Sequence, residues 1–317
     1  MAERTIGVAR NGLPQIGLTQ IGLAPEEAGP VFLRYTAADA LSNLVAMLEL
    51  ADEGQLRCRA GNRQPYAATI RLAEDALVAG DYYDGAEPIA AYAWPILLLT
   101  GGLARLNGSW LEPTTRGQAV LAQPSYPALG ALWDRWLGSV SHDEFGRVEA
   151  VRGQRRPGTL TPVAERRGAI ADALAALEPG AWTDIDDVLT HLHAPEQPPL
   201  AVARNLMALW RLYLDDPYHG SLGRAGTAAW AVLESRYALC VLFEYAATLG
   251  VIDVAYTGPD GARDDYRGLW GADRLPRLSR YDGLLAIRVN ELGAAVLHDP
   301  DILPGLSLPM PRLRLVR

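Results

Sequence analysis

Polar and apolar positions along the chain write one order of elements twice. In "AADALSNLVAMLELADEG" (37–54), Leu41, Leu44, Met47 and Leu48 share one helical face, with Thr36 placed as the N-cap. The short segment "QLRCR" (55–59) reads as a strand. Pro65 opens the helix "YAATIRLAEDALVAG", which closes near Gly80. Pro88 opens another, "IAAYAWPILLLTGG", kinked or restarted at Pro95. "GLARLNGSWLEPT" supplies two short strands around Asn107-Gly108, the strongest short hairpin signal, and "TRGQAVL" closes the unit as a helix.

The order returns from residue 163. "VAERRGAIADALAALEPG" (163–180) is an amphipathic helix, and "AWTDIDDVLTHLH" (181–193) is a strand running into a helix capped by Thr183 or Asp184. A Pro-rich break, "APEQPP" (194–199), precedes an additional helix, "LAVARNLMALWRLYL" (200–214). One long apolar helix follows over 227–250, then the paired strands "VIDVAYT" and "LLAIRV". The closing segments match position by position: Thr114 with Asn290, Gly117 with Gly293, and Ala119-Val120-Leu121 with Ala295-Val296-Leu297. The pattern predicts a mainly α, α+β chain with hairpins over 103–112 and 251–289. Each hairpin leads into a short helix that packs its Val-Leu pair inward, its glycine permitting close approach to the sheet.

Five regions follow. Residues 1–35 form an extended arm, 36–125 a first unit, 126–162 a Trp-rich helix with a basic linker, 163–300 a second unit, and 301–317 an extended Pro/Arg-rich tail. The linker boundary falls near Gly158. About 26 residues separate the strands of the second hairpin, and a loop of that length in a compact domain is usually functional.

Composition removes several chemistries. All 29 basic residues are arginine, so there is no Walker-A lysine, Schiff-base lysine or lysine general base. The net charge of −8 argues against wrapping nucleic acid over the whole surface, while leaving room for a local arginine patch. Cys58 and Cys240 lie among apolar residues and read as buried free thiols. No apolar stretch is long enough to cross a membrane, and the amino terminus has no signal-peptide core, so a soluble cytoplasmic protein is expected. "SHDEF" (141–145) lacks histidines at supporting spacing, and His191 and His193 do not face each other on a helix. No nucleophile elbow occurs, and "GLARLNG" and "GSLGRAG" lack phosphate-loop context. No catalytic residue, metal or cofactor is expected.

The element order, with its "T-x-x-G-x-x-x-L" closing helix, resembles a tandem winged helix-turn-helix protein over about 36–122 and 163–298. "GQLRCRAGNRQPYAATIRLAEDAL" (54–77) is also similar to winged-helix regions preceding the motor of XPB-type helicases. The resemblance implies two winged-helix-like domains in a nucleic-acid-associated accessory subunit. It also implies duplex DNA as a ligand and a motor or nuclease subunit as a protein partner. One departure is informative. The third helix of a DNA-reading winged helix carries polar and basic groups into the major groove, whereas "IAAYAWPILLLTGG" carries no charge. Any DNA binding is therefore expected to be sequence-tolerant, and a pure protein–protein adaptor is the alternative.

Three clusters are candidate sites. Arg57, Arg59, Arg63 and Arg71, with Tyr66 among them and no acid from 54 to 73, form a loop entering a helix N-terminus, where guanidinium and backbone N–H groups hold phosphates. The plainer alternative is a solvated basic loop. Arg152, Arg155 and Arg156 in the linker form a second basic cluster, flanked by Arg147, Arg166 and Arg167. The long loop 258–283 offers Tyr266, Trp270, Arg274, Arg277, Arg280 and Tyr281 as partner-docking anchors, residue types that dominate interface energetics. Its alternative is to fold back over its own unit.

Overall fold

Both hairpins form, and both lead directly into their closing helices. The computed structural model describes residues 30–83, 87–195, 200–214, 221–225, 228–269, 272 and 274–308. Strand β1 (Phe32–Arg34) precedes α1 (Ala37–Asp52), α2 (Ala67–Ala76) and α3 (Ala90–Thr100). The first hairpin is β2 (Ala104–Asn107) and β3 (Trp110–Pro113), followed by α4 (Thr115–Ala122) and α5 (Tyr126–Gly138). Strand β4 (Val151–Arg152) lies in the intervening segment, before α6 (Val163–Ala175), β5 (Trp182–Asp184) and α7 (Ile185–His193). Then come α8 (Leu206–Leu209), β6 (Tyr213–Leu214), α9 (Ala229–Val232) and α10 (Glu234–Cys240). The last of these runs into a π-helical stretch, Val241–Ala246. The second hairpin, β7 (Ile252–Tyr256) and β8 (Leu284–Val289), ends in α11 (Glu291–His298).

The two halves share their pairing logic. In the first, the backbone at Arg57 bridges Trp110 on β3, the return strand of the hairpin. In the second, β5 pairs with the return strand β8 in the sheet order β1-β7-β8-β5. The caps match as well: Thr114 accepts the Gly117 N–H at 3.3 Å, and Asn290 accepts the Gly293 N–H at 3.0 Å. A Cβ on Gly117 would collide with the carbonyl oxygen of Leu103, and one on Gly293 with that of Val251. Val296 is buried, while Val120, Leu121 and Leu297 are half-buried against the core.

Several expectations are corrected. Residues 1–29 of the expected arm lie outside the described residues, and its end is not free: Phe32–Arg34 pair antiparallel with β7. Thr36 makes no side-chain cap; its hydroxyl donates to the Ile252 carbonyl at 2.6 Å and its N–H to Asp253 at 2.9 Å, tying α1 to the second hairpin. Asp81 serves α3 instead, accepting the N–H groups of Ile89, Ala90 and Ala91, and α3 runs unbroken through Pro95. The expected helix over 200–214 shrinks to the single turn α8. Its flanks pair laterally, Ala203 with Leu160 and β6 with β4, so the "linker" is part of the folded body. The long apolar helix is interrupted at Leu233 and ends as a π-helix. Of the expected extended tail, Pro300–Gly305 form a 3-10 helix that buries Leu303; residues 309–317 lie outside the described residues.

Most buried apolar side chains form one continuous cluster from Ala40 to Leu303, shared by both halves, while Leu33, Ala255 and Ala286 pack separately with Trp182. Its centre holds α3 and the α10–π segment: Tyr82 meets Phe243 edge-on at 4.7 Å, and Arg147 lies 3.6 Å from the Tyr92 ring centre.

Candidate nucleic-acid interface

The outer edge of the first hairpin carries an alternating row of rings and cations. Arg57 lies 4.5 Å from the Trp110 ring centre on one side and 5.3 Å from that of Tyr66 on another, and Arg59 lies 5.1 Å from Tyr66. The Arg57 guanidinium donates to the Ser109 hydroxyl from Nε at 3.1 Å and Nη2 at 2.9 Å. A neutral acceptor orients the group without cancelling its charge. Beneath the row, Cys58 is fully buried, and that burial pushes its thiol up to about 12, so it stays protonated and unreactive. Arg59 donates its N–H to the Gln64 carbonyl at 2.8 Å, closing a loop with Arg63 at its tip. Arg63 has φ +57°, the left-handed region where a non-glycine residue costs of order 1 kcal/mol. An arginine occupies a position that glycine would hold without strain. Arg71, on the first turns of α2, is exposed like the other three.

The linker arginines face the same loop. Gln64 lines one side of a polar cleft of about 630 Å³, whose other walls include Arg147, Arg152, Arg155, Arg156 and Tyr213. Arg152, Arg155 and Arg156 are exposed, whereas Arg147 is buried and committed to Glu244. Gly153 (φ +88°) makes the turn before the cleft, and a Cβ there would strike the Arg211 carbonyl. Among the described residues, none of Arg57, Arg59, Arg63, Arg71, Arg152, Arg155 and Arg156 has an ion-pair partner. Arg152, Arg155 and Arg156 thus line one cleft with Gln64 and Glu149, while Arg57, Arg59, Arg63 and Arg71 are not among its lining residues. Arg166 and Arg167 are not part of it; both are buried, against Asp143 and Glu144.

The long loop behaves oppositely, and its docking assignment is corrected. Tyr266, Tyr281 and Arg280 are buried in the chain's own interior, and Arg277 is half-buried. Tyr281 donates its hydroxyl to Glu244, and Tyr266 donates to the Leu275 carbonyl at 3.0 Å. Arg277 pairs with Glu87 at 2.7 Å and with Asp260; Arg280 pairs with Glu87 and Glu149, both at 2.9 Å. Arg274 remains exposed, and Trp270 lies outside the described residues. The loop folds back over the chain because buried Glu244 and Arg236 need partners that it supplies, Tyr281 for the first and Asp265 and Asp282 for the second.

Burial also removes the standard reading helices. Every residue of α3 from Ala90 to Leu99 is buried, as is everything from Ser235 to Ala246. Neither segment can reach a major groove. The interior contains Glu144 with Arg167 (3.0 and 2.5 Å), Trp136 Nε1 (3.1 Å) and the Tyr237 hydroxyl (3.3 Å) as its donors. His142 accompanies them, its pKa lowered by burial. These groups are sealed and mutually satisfied. Among the described residues, no three His, Cys, Asp or Glu side chains are grouped to hold a metal, and no helix is long and apolar enough to cross a membrane.

Two features escaped the sequence reading. Trp110 is 44% exposed; the alternation that turns Leu111 fully inward also turns Trp110 outward, a signal available in "SWLEP". Leu206, Met207 and Trp210 are exposed together on and just after α8, beside the exposed Arg204, Arg211 and Arg224. The expectation of a full helix over 200–214 hid that patch. Comparison with family models, curated proteins and solved structures finds no match to the chain.

Proposed function

We propose that this chain is a non-catalytic, nucleic-acid-associated accessory subunit of a DNA-processing or defence complex, built on two winged-helix-like units that no longer read bases through their third helices. The observation that carries the reading is the set of exposed arginines without ion-pair partners, Arg57, Arg59, Arg63 and Arg71 beside the first hairpin and Arg152, Arg155 and Arg156 on the cleft lined by Gln64, in a chain whose net charge is −8. Cations left without partners on an acidic protein concentrate positive potential where a polyanion fits. Contacts of this kind go to phosphates and carry no sequence information. The matched hairpin-and-cap arrangement of the two halves supports the winged-helix description. On this reading no cofactor is required.

Fluorescence anisotropy on unrelated DNA duplexes tests the proposal. Affinity should be alike across sequences and fall steeply between about 50 and 200 mM salt. Replacing Arg57, Arg59 and Arg63 with Ala should weaken every duplex about equally and flatten the salt slope by about 0.9 for each phosphate no longer held. Salt-insensitive binding, or none, would remove duplex DNA from the proposal.

A second reading, the protein–protein adaptor, rests on Leu206, Met207 and Trp210, which are 78%, 70% and 49% exposed. Apolar side chains grouped in this way mark interaction sites. The patch takes the place of the long loop as the docking element for a motor or nuclease partner.

A further inference from the structure

Trp110 stands within the arginine cluster and is not needed by the core. Its strand neighbour Leu111 is fully buried and donates its N–H to the Leu56 carbonyl at 3.0 Å, while the Cys58 N–H donates to the Ser109 carbonyl at 2.8 Å. The indole is therefore carried on a pinned backbone at the mouth of the Gly108-Ser109 turn. Arg57 lies 4.5 Å from its ring centre, and nearly half of the side chain remains in solvent. The row Trp110, Arg57, Tyr66, Arg59 ends at Trp110, where another flat group can join it.

We infer that Trp110 is a stacking platform for an unpaired nucleobase, with Arg57, Arg59 and Arg63 holding the phosphates on either side, so that the chain prefers single-stranded DNA to blunt duplex. The inference rests on the nucleic-acid reading and specifies its ligand. A base inside a duplex has both π-faces covered by its neighbours and cannot use the indole; an unpaired base offers a free face. Stacking on an aromatic side chain is sequence-tolerant because every base has such a face. That agrees with a site offering flat rings and unpaired cations and with third helices buried away from any base edge. A protein ligand with acidic groups would satisfy the arginines, but the flat, cation-stacked indole adds a contact suited to a base.

The test uses the full chain with oligothymidine and a blunt duplex of matched length. Wild type should bind oligothymidine more tightly, with quenching of intrinsic tryptophan fluorescence. Trp110→Ala should lower oligothymidine affinity about tenfold and leave duplex affinity unchanged. Trp110→Phe should recover most of the affinity while losing the quench. An Ala variant that binds oligothymidine as wild type does overturns the inference, as does one that loses both ligands equally with an unchanged melting curve. A wild-type chain that binds duplex but holds oligothymidine no more tightly, with neither affinity depending on Trp110, leaves the accessory-subunit reading standing and removes this one alone. A wild-type chain that binds neither ligand removes both.

Discussion

At the residue scale, the two glycines of the closing helices are the sharpest structural commitments of the sequence. Neither needs a left-handed backbone; what each needs is space, because its α-carbon sits against a carbonyl oxygen at the start of its own hairpin. Backbone on both sides leaves nothing flexible to give way. Gly293→Ala should therefore destabilise the protein by about 3 kcal/mol, the upper range for forcing an extra methyl group into a packed interior. Gly61, on the exposed arginine loop, has no atom within 4 Å of a built Cβ, so Gly61→Ala should stay within about 0.5 kcal/mol of wild type. Urea denaturation of the two variants side by side checks the argument. A Gly293→Ala protein that unfolds with the Gly61→Ala control would show that the helix slides freely on its sheet.

At the element scale, legibility followed locality. Hairpins, closing helices and the Asp184 cap depend on residues a few positions apart, and alternation with turn chemistry is enough to find them. The long loop depends on distant partners. Its apolar content was visible, but nothing in 258–283 says that Tyr281 meets Glu244, or that Arg277 and Arg280 meet Glu87. Charges that cancel within the loop on paper are instead matched largely to carboxylates elsewhere. The arginine clusters were legible as clusters, yet their lack of ion-pair partners, and the cleft that sets Arg152, Arg155 and Arg156 opposite Gln64, are tertiary facts. Tyr281→Phe separates the covering role from an idle one. Glu244 is fully buried and accepts from Arg147 and Tyr281, so removing the hydroxyl leaves a buried carboxylate short of one donor. The cost should be about 1–3 kcal/mol in a denaturant titration, with the fold retained. Wild-type stability in that variant would mean that the loop does not seal the interior.

At the scale of the whole molecule, the repeat does not make two independent bodies. Strand β1, from the start of the first half, completes the sheet of the second, and Thr36 and Asn290 converge on buried Asp253. Arg147, between the halves, donates to Glu244 at 2.8–3.1 Å, gives a further bond to the Pro88 carbonyl at 2.7 Å and packs over Tyr92. Each half would expose a mostly apolar helix if the other were absent, and α3 has no charged residue to offer water there. Chains of this length commonly populate intermediates, so a shared core makes a discriminating demand. Urea unfolding followed by far-UV circular dichroism should coincide with unfolding followed by tryptophan fluorescence, since Trp94, Trp133 and Trp136 are buried in the common core. Arg147→Met should move that single transition by about 3–5 kcal/mol, because it strands the Glu244 charge without its guanidinium, and should not split it in two. Residues 30–125 expressed alone should lack a cooperative melt. Two resolved transitions in the full chain, or a first half that melts sharply by itself, would mean that the halves fold separately and that the third helices are buried for a reason other than each other.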